Sequence, residues 1–414
     1  MPTKETTRFN GHQWAIVLIS LFGISTGPAA FGLSSIGIVA GPIAQEFGWS
    51  RTAISAAVSV MMLCTAVSLP LAGRLIDRFG ARRVLIPSIV LFAACLVGLA
   101  SMRSYWQFIA LYIGMGTIAV GTNSTAYMRI LAGWFDARRG LAIGIAGSGT
   151  GLGFAYVPIL TETVVTDYGW RSGYLALAVL LVLTTLPLVL FLLKDSPMLV
   201  VEAGVTARPA PATGDAMLQA VRKTDFWVLG GIFVVLAFVL YGLIPHLVPL
   251  LQDRGVSGTD AAWIASIFGL SAFGGRLLIG FLVDRFDARR IAVVFFSLSA
   301  LGLLLLALPL PVWAFLPAAL LLGGSLGAEV DMLAYLTSRY FGLRCFAQIF
   351  STLFAAVMVA MGLGPLAFGF VFDRTGTYTA ILALGVPICL VASGLVLLLS
   401  PYAERARGGP VSIT

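Results

Sequence analysis

Three ionisable residues stand inside long apolar runs of this sequence. Arg276 is flanked by Phe273, Gly274, Gly275, Leu277, Leu278 and Ile279, and Glu329 and Asp331 interrupt a second run. A charge placed in hydrocarbon costs about 3 kcal/mol or more, so each is a candidate for function. A guanidinium grips a carboxylate through two parallel hydrogen bonds and never loses its charge. Arg276 is therefore the candidate for holding an organic anion. The competing structural reading is an ion pair with Glu329 or Asp331. Those two acids are two residues apart and project about 200° apart on a helix, so they cannot line one face together. Asp331, Tyr335 and Arg339 repeat at a spacing of four and share a face. That suggests an Asp–Tyr–Arg column and leaves Glu329 as the group that carries a proton; the reverse assignment stays open. An acid in an apolar site favours its neutral form, which suits such a carrier. Glu162, near the end of another run, can reach lipid headgroups and is set aside.

Further polar groups join this set. Asn123 and Tyr127 share one helical face and could hydrogen-bond a carboxylate or hydroxyl, although polar contacts between helices explain them equally well. His246 lies between Pro245 and Pro249, and two prolines in five residues should bend or break a helix. Its imidazole, near the outer mouth, could bind an anion or sense pH. Arg276, Asn123, Tyr127, His246 and Tyr335 are thus the substrate-binding candidates, with Glu329 and Asp331 as the proton-coupling pair. The four cysteines are scattered and only two histidines exist, so no metal-ligand spacing, disulfide framework or cofactor motif is visible. No set of catalytic residues points to an enzyme. The glycine-dense run Gly144–Gly153 lacks the strand that a phosphate-cradling loop needs. It reads as close packing between halves of the protein.

The elements that must position these groups are membrane helices. Of 414 residues, 59% are hydrophobic and 11% charged, with a mean hydropathy of +0.98. A soluble domain carries about 25% charged residues, so the solvent here is lipid. Spans of roughly 20 apolar residues occur twelve times, in two sets of six. They are too long, and too rich in Leu, Ala and Gly, for barrel strands. The expected fold is all-α: twelve transmembrane helices in two pseudo-symmetric six-helix bundles. The expected division is residues 1–193 and 225–400 as bundles, 194–224 as a cytoplasmic linker and 401–414 as a tail. The net charge of +8 is gathered on one side of the membrane. That asymmetry sets orientation, with both termini cytoplasmic, and argues against nucleic acid as a partner.

Eleven residues are written twice. Gly73–Arg83 reads GRLIDRFGARR and Gly280–Arg290 reads GFLVDRFDARR, with eight identities at an offset of 207. Each copy lies between two apolar runs. Duplicated halves are a recurring build of secondary transporters, with the substrate site between them. An acid at a helix end facing arginines can also latch one side of such a molecule. Asp77, Arg78, Arg82, Asp284, Arg285 and Arg289 are the gating candidates.

The repeated loop resembles the signature of the major facilitator superfamily, Gly-x-x-x-Asp-Arg-x-Gly-x-Arg-Arg. It matches at Gly73, Asp77, Arg78, Gly80, Arg82 and Arg83, and again at Gly280, Asp284, Arg285, Arg289 and Arg290, with Asp287 in place of the glycine. Within that superfamily, WFDARRGLAIGIAGSG (Trp134–Gly149) is similar to the fifth-helix signature of monocarboxylate transporters. Asn10, Gly11 and Trp14 form a weakened first-helix signature, and Glu46–Ser55 is also similar. The resemblance extends to the oxalate:formate antiporter, and Arg276 matches the substrate arginine of both groups. It implies a twelve-helix carrier of a small organic monocarboxylate in the inner membrane, acting as a monomer without a cofactor. Proton symport by alternating access, in the direction of uptake, is expected; an anion exchanger is the alternative and a drug-efflux carrier a more distant one. The sequence departs from the resemblance at Ala272, where monocarboxylate transporters carry a proton-linked Asp. It also has no lysine in any predicted span. One buried cation argues for a monoanion.

Overall fold

The computed structural model describes residues 11–135, 139–193, 215–283, 285–342 and 345–399, apart from a few side chains within them. Among these, eleven helices are long and apolar enough to cross a membrane. The crossings are numbered here in chain order. α1 is a broken helix (Gly11–Ser25, then Pro28–Phe47), followed by α2 (Arg51–Phe79) and α3 (Ala81–Ser101). α4 is the twelfth crossing. A 3-10 turn at Ala119–Thr122 splits it into Tyr105–Thr117 and Ser124–Trp134, each too short to span alone. α5 (Arg139–Gly147 and Gly149–Tyr168) and α6 (from Trp170, turning π-helical before Leu192) complete the first half. The second half holds α7 (Thr224–Leu243, continued by Leu247–Asp253), α8 (Gly258–Val283), α9 (Ala288–Ala307), α10 (Phe315–Phe341), α11 (Phe346–Thr375) and α12 (Thr379–Leu398). The break in α7 falls at Ile244–His246, where Pro245 cannot donate to the helical ladder.

The two halves pack alike. In the first, α2 lies on α4, α3 on α6 and α1 on α5; in the second, α8 lies on α10, α9 on α12 and α7 on α11. The halves then meet through α2 against α11 and α5 against α8. Lipid offers no hydrophobic drive between helices, so these contacts depend on small residues that let backbones approach. A methyl added at Gly151 would lie 2.5 Å from the Phe273 nitrogen of α8, and one at Gly269 would lie 2.2 Å from the Ala155 nitrogen of α5. One turn-pair away, Gly149 and Gly153 press on the α1 carbonyls of Leu21 and Ser25. The glycine-dense run is thus a two-sided packing surface.

One face of the molecule carries the repeated charged loops and is called the motif face. The opposite face, which holds the starts of α2 and α8, carries an aromatic cluster. Phe47 stacks on Trp49 at 4.6 Å, Trp170 meets Phe47 edge-on, and Trp49 meets Tyr105 at 5.2 Å. Trp and Tyr favour the membrane–water boundary.

Candidate substrate site between α5, α8 and α10

Arg276 projects from α8 toward α10. Its Nε donates to Oδ2 of Asp331 at 2.9 Å and its Nη2 to Oδ1 at 2.9 Å. This is a two-pronged fork on one carboxylate. The remaining Nη1 donates to the Gly147 carbonyl of α5 at 2.9 Å, across the boundary between halves. The carbonyl is free to accept because α5 is interrupted beside it, between Gly147 and Gly149. Glycine at 147 leaves room for the guanidinium, whose carbon would lie 3.2 Å from an added methyl, and the Met128 side chain of α4 stands equally close. The pair is not sealed: the Arg276 side chain is 24% exposed and that of Asp331 35%.

The structure thereby corrects the expected Asp331–Tyr335–Arg339 column. Asp331 turns to α8, and the Tyr335 hydroxyl donates to the Val283 carbonyl at 3.1 Å instead. Arg339 lies over the Tyr335 ring at 5.5 Å. Glu329, two residues before Asp331, turns into the second bundle. It is 1% exposed, and neither carboxylate oxygen has a hydrogen-bond partner among the described residues.

The other candidates are dispersed. Tyr127 is fully buried against Gly23 of α1, its hydroxyl without a described partner. Asn123 forms the junction between the 3-10 turn and the second part of α4 and is half-buried. His246 is 3% exposed rather than open at a mouth. Its Nδ1 pairs with the Tyr378 hydroxyl at 2.9 Å; its Nε2 lies 2.9 Å from the Pro365 carbonyl and 3.0 Å from the Ser55 hydroxyl. Both ring nitrogens are thus engaged by the protein, which leaves neither for an anion in this conformation.

At the motif face, the Asp77 side chain and Asp284 lie outside the described residues. Arg78 sits over the Phe79 ring and Arg285 over Phe281. Arg82 donates to the Leu190 carbonyl, and Arg289 to the Leu397 carbonyl at 3.1 Å. Donor and acceptor are both shifted by 207 residues, so the same clip is built twice. Each clip ties two helices of one half, α3 to α6 and α9 to α12. These contacts of Arg82 and Arg289 lie within each half.

A paired halves-and-crossings architecture with an ionic site between them defines a class of membrane carriers. The chain matches the Major Facilitator Superfamily profile over residues 22–253 and 232–412. It belongs to that superfamily and is a membrane transporter. Among its relatives, an uncharacterized MFS-type transporter of Bacillus subtilis, YcxA, is 27% identical over 379 residues, covering 88% of this chain and 90% of the relative. A gallate transporter of Pseudomonas putida is 27% identical over 96% of this chain and 92% of its own. Monocarboxylate transporter 11 of Mus musculus is 28% identical over 84% and 79%. In three dimensions the fold is similar to a bacterial homolog of the human lysosomal transporter Spinster, with a TM-score of 0.66, 18% identity and coverage of 96% and 98%.

Proposed function

We propose that this carrier moves a small organic monocarboxylate across the plasma membrane, with Arg276 holding the carboxylate and a proton accompanying it. The observation that carries the reading is the Arg276 fork, partly exposed, already closed on a carboxylate and bridging both halves. Asp331 fills the fork as a substrate carboxylate would. An incoming anion competes for the same two N–H groups. Displaced, Asp331 is left as a charge without its partner. Taking up a proton removes that charge, so anion and proton enter together. Glu329 supplies a second place for a proton, because an ionised carboxylate buried without partners is costly to keep. The relatives named for gallate and monocarboxylates are consistent with an anionic cargo.

The bond to Gly147 gives the site its link to movement. Arg276 touches α5 and α10 at once, so an anion that draws it away loosens one tie between the halves. The greater share of Lys and Arg on the motif face supports a cytoplasmic position for that face. The test is transport by purified protein in proteoliposomes. Uptake of a monocarboxylate driven by an inward proton gradient supports symport. Uptake that requires an internal carboxylate and ignores the gradient supports exchange.

A further inference from the structure

The face opposite the repeated loops joins the two halves through groups that the substrate site does not use. α2 and α8 begin alike there. Gly48-x-Ser50-x-Thr52 recurs as Gly255-x-Ser257-x-Thr259, at the same offset of 207 that relates the charged loops. Gly48 and Gly255 both hold positive φ, 67° and 83°. Ser50 accepts from the Ala53 amide at 3.2 Å and Ser257 from the Asp260 amide at 3.1 Å. Each helix start leaves further amide hydrogens, and the positive end of its dipole, turned outward.

A carboxylate from the other half meets each start. Asp373, at the end of α11, accepts from the Arg51 amide at 3.1 Å and the Thr52 amide at 2.8 Å. Glu162, near the end of α5, lies against Gly258: a methyl there would be 2.1 Å from its Oε1. α5 and α11 end on Gly169 and Gly376, again 207 apart and both with positive φ. Asp373 lies three residues before its glycine and Glu162 seven before its own, one helical turn deeper. The contacts are related by the symmetry of the fold but not identical. Arg51 corresponds to Gly258. On the α2 side Arg51 adds a fork on Asp253 of α7, at 2.7 and 2.7 Å, and a bond to Tyr378 at 2.7 Å, with its guanidinium 3.7 Å above Phe372. On the α8 side glycine yields that space to the Glu162 carboxylate.

We propose that Asp373 on the start of α2 and Glu162 on the start of α8 are twin latches that hold this face shut, and that both release when it opens. The proposal rests on the alternating-access reading but needs no knowledge of the cargo. Ile36, 1% exposed, lines the small space behind the latch with Arg51, Ser55 and His246. The experiment places Ile36→Cys in a chain with Cys64, Cys95 and Cys345 replaced by Ser. Native Cys389, 0% exposed in the second bundle, stays as a marker of unfolding. A membrane-impermeant maleimide is applied from the Arg51 side of oriented vesicles. Labelling of the thiol introduced by Ile36→Cys should rise by about fivefold or more in Asp373→Asn and in Glu162→Gln, and the two effects should multiply when combined. Gly258→Ala, which pushes Glu162 off the helix start, should raise labelling alone and add nothing to Glu162→Gln. Equal rates in parent and variants, with Cys389 protected, would overturn the proposal. If Asp373→Asn exposes Cys389, the other latch decides: Glu162→Gln and Gly258→Ala should each raise labelling with Cys389 protected, and parent-like rates in both overturn the proposal.

Discussion

At the scale of the residue, the account turns on what a fork does that a point charge does not. Lysine at 276 would keep the positive charge and lose the two parallel donors. A hydrogen bond to a charged group is worth about 1.5–3 kcal/mol, and about 1.4 kcal/mol is tenfold in affinity. Arg276→Lys should therefore weaken carboxylate binding by about 10- to 100-fold while the protein still inserts; equilibrium dialysis with a labelled acid measures this. Asp331→Asn should act in the opposite direction on binding, because the competitor for the fork has lost its charge, and should uncouple uptake from the proton gradient. For Glu329, the expected outcome is a division between two assays. Glu329→Gln should abolish uphill accumulation and leave exchange of labelled substrate across the membrane intact, since exchange needs no net proton movement. Full accumulation by both Glu329→Gln and Asp331→Asn would move the proton route elsewhere.

At the scale of the element, glycine placement decides how closely helices approach. Gly269 and Gly274 stand five residues apart on α8, yet only the first meets backbone from the other half. Gly269→Ala drives a methyl into α5 and should cost about 1–3 kcal/mol, the usual range for overpacking. Gly274→Ala enters open space. A clear fall in melting temperature for the first and almost none for the second is the expected pattern in a thermal unfolding experiment. The elements themselves were largely legible in the sequence. Apolar length and the repeated charged loop define the crossings, and Pro245 with Pro249 foretells the break in α7. The break in α4 was not legible, because Ala119–Thr122 contains no proline to announce it. Nor was the partner of Arg276. Helical periodicity says that Glu329 and Asp331 diverge, but only the packing of α8 on α10 says which one faces the cation. The Gly147 carbonyl carries no side-chain signal at all, and the repeat around Ser50 and Ser257 is too short to stand out without the matching caps.

At the scale of the whole molecule, one offset organises the structure. Residues 207 apart form the charged loops, the Arg82 and Arg289 clips, the caps of α2 and α8 and the ends of α5 and α11. Symmetry of this kind lets two halves rock about a fixed site between them. The groups of the proposed site break it: Arg276, Glu329 and Asp331 all lie in the second half, while the first supplies the Gly147 carbonyl. The proposed orientation follows the asymmetry of charge between the faces. Single cysteines at Arg78 and Arg285, both exposed on the motif face, should react with an impermeant thiol reagent only from the cytoplasmic side. One at Arg103, on the opposite face, should react only from outside. Labelling of Arg78→Cys and Arg285→Cys from opposite sides would contradict the duplicated arrangement.

The central claim is that the site recognises a carboxylate as such. The most direct measurement is thermal stabilisation of the purified protein by lactate, pyruvate, gallate and branched-chain acids, each beside its uncharged amide. A ligand at 100 times its dissociation constant stabilises by about 2.7 kcal/mol. At least one acid should raise the melting temperature while its amide does not, and Arg276→Lys should abolish the difference. Equal stabilisation by acid and amide, or an acid effect that persists undiminished in Arg276→Lys, would contradict the account.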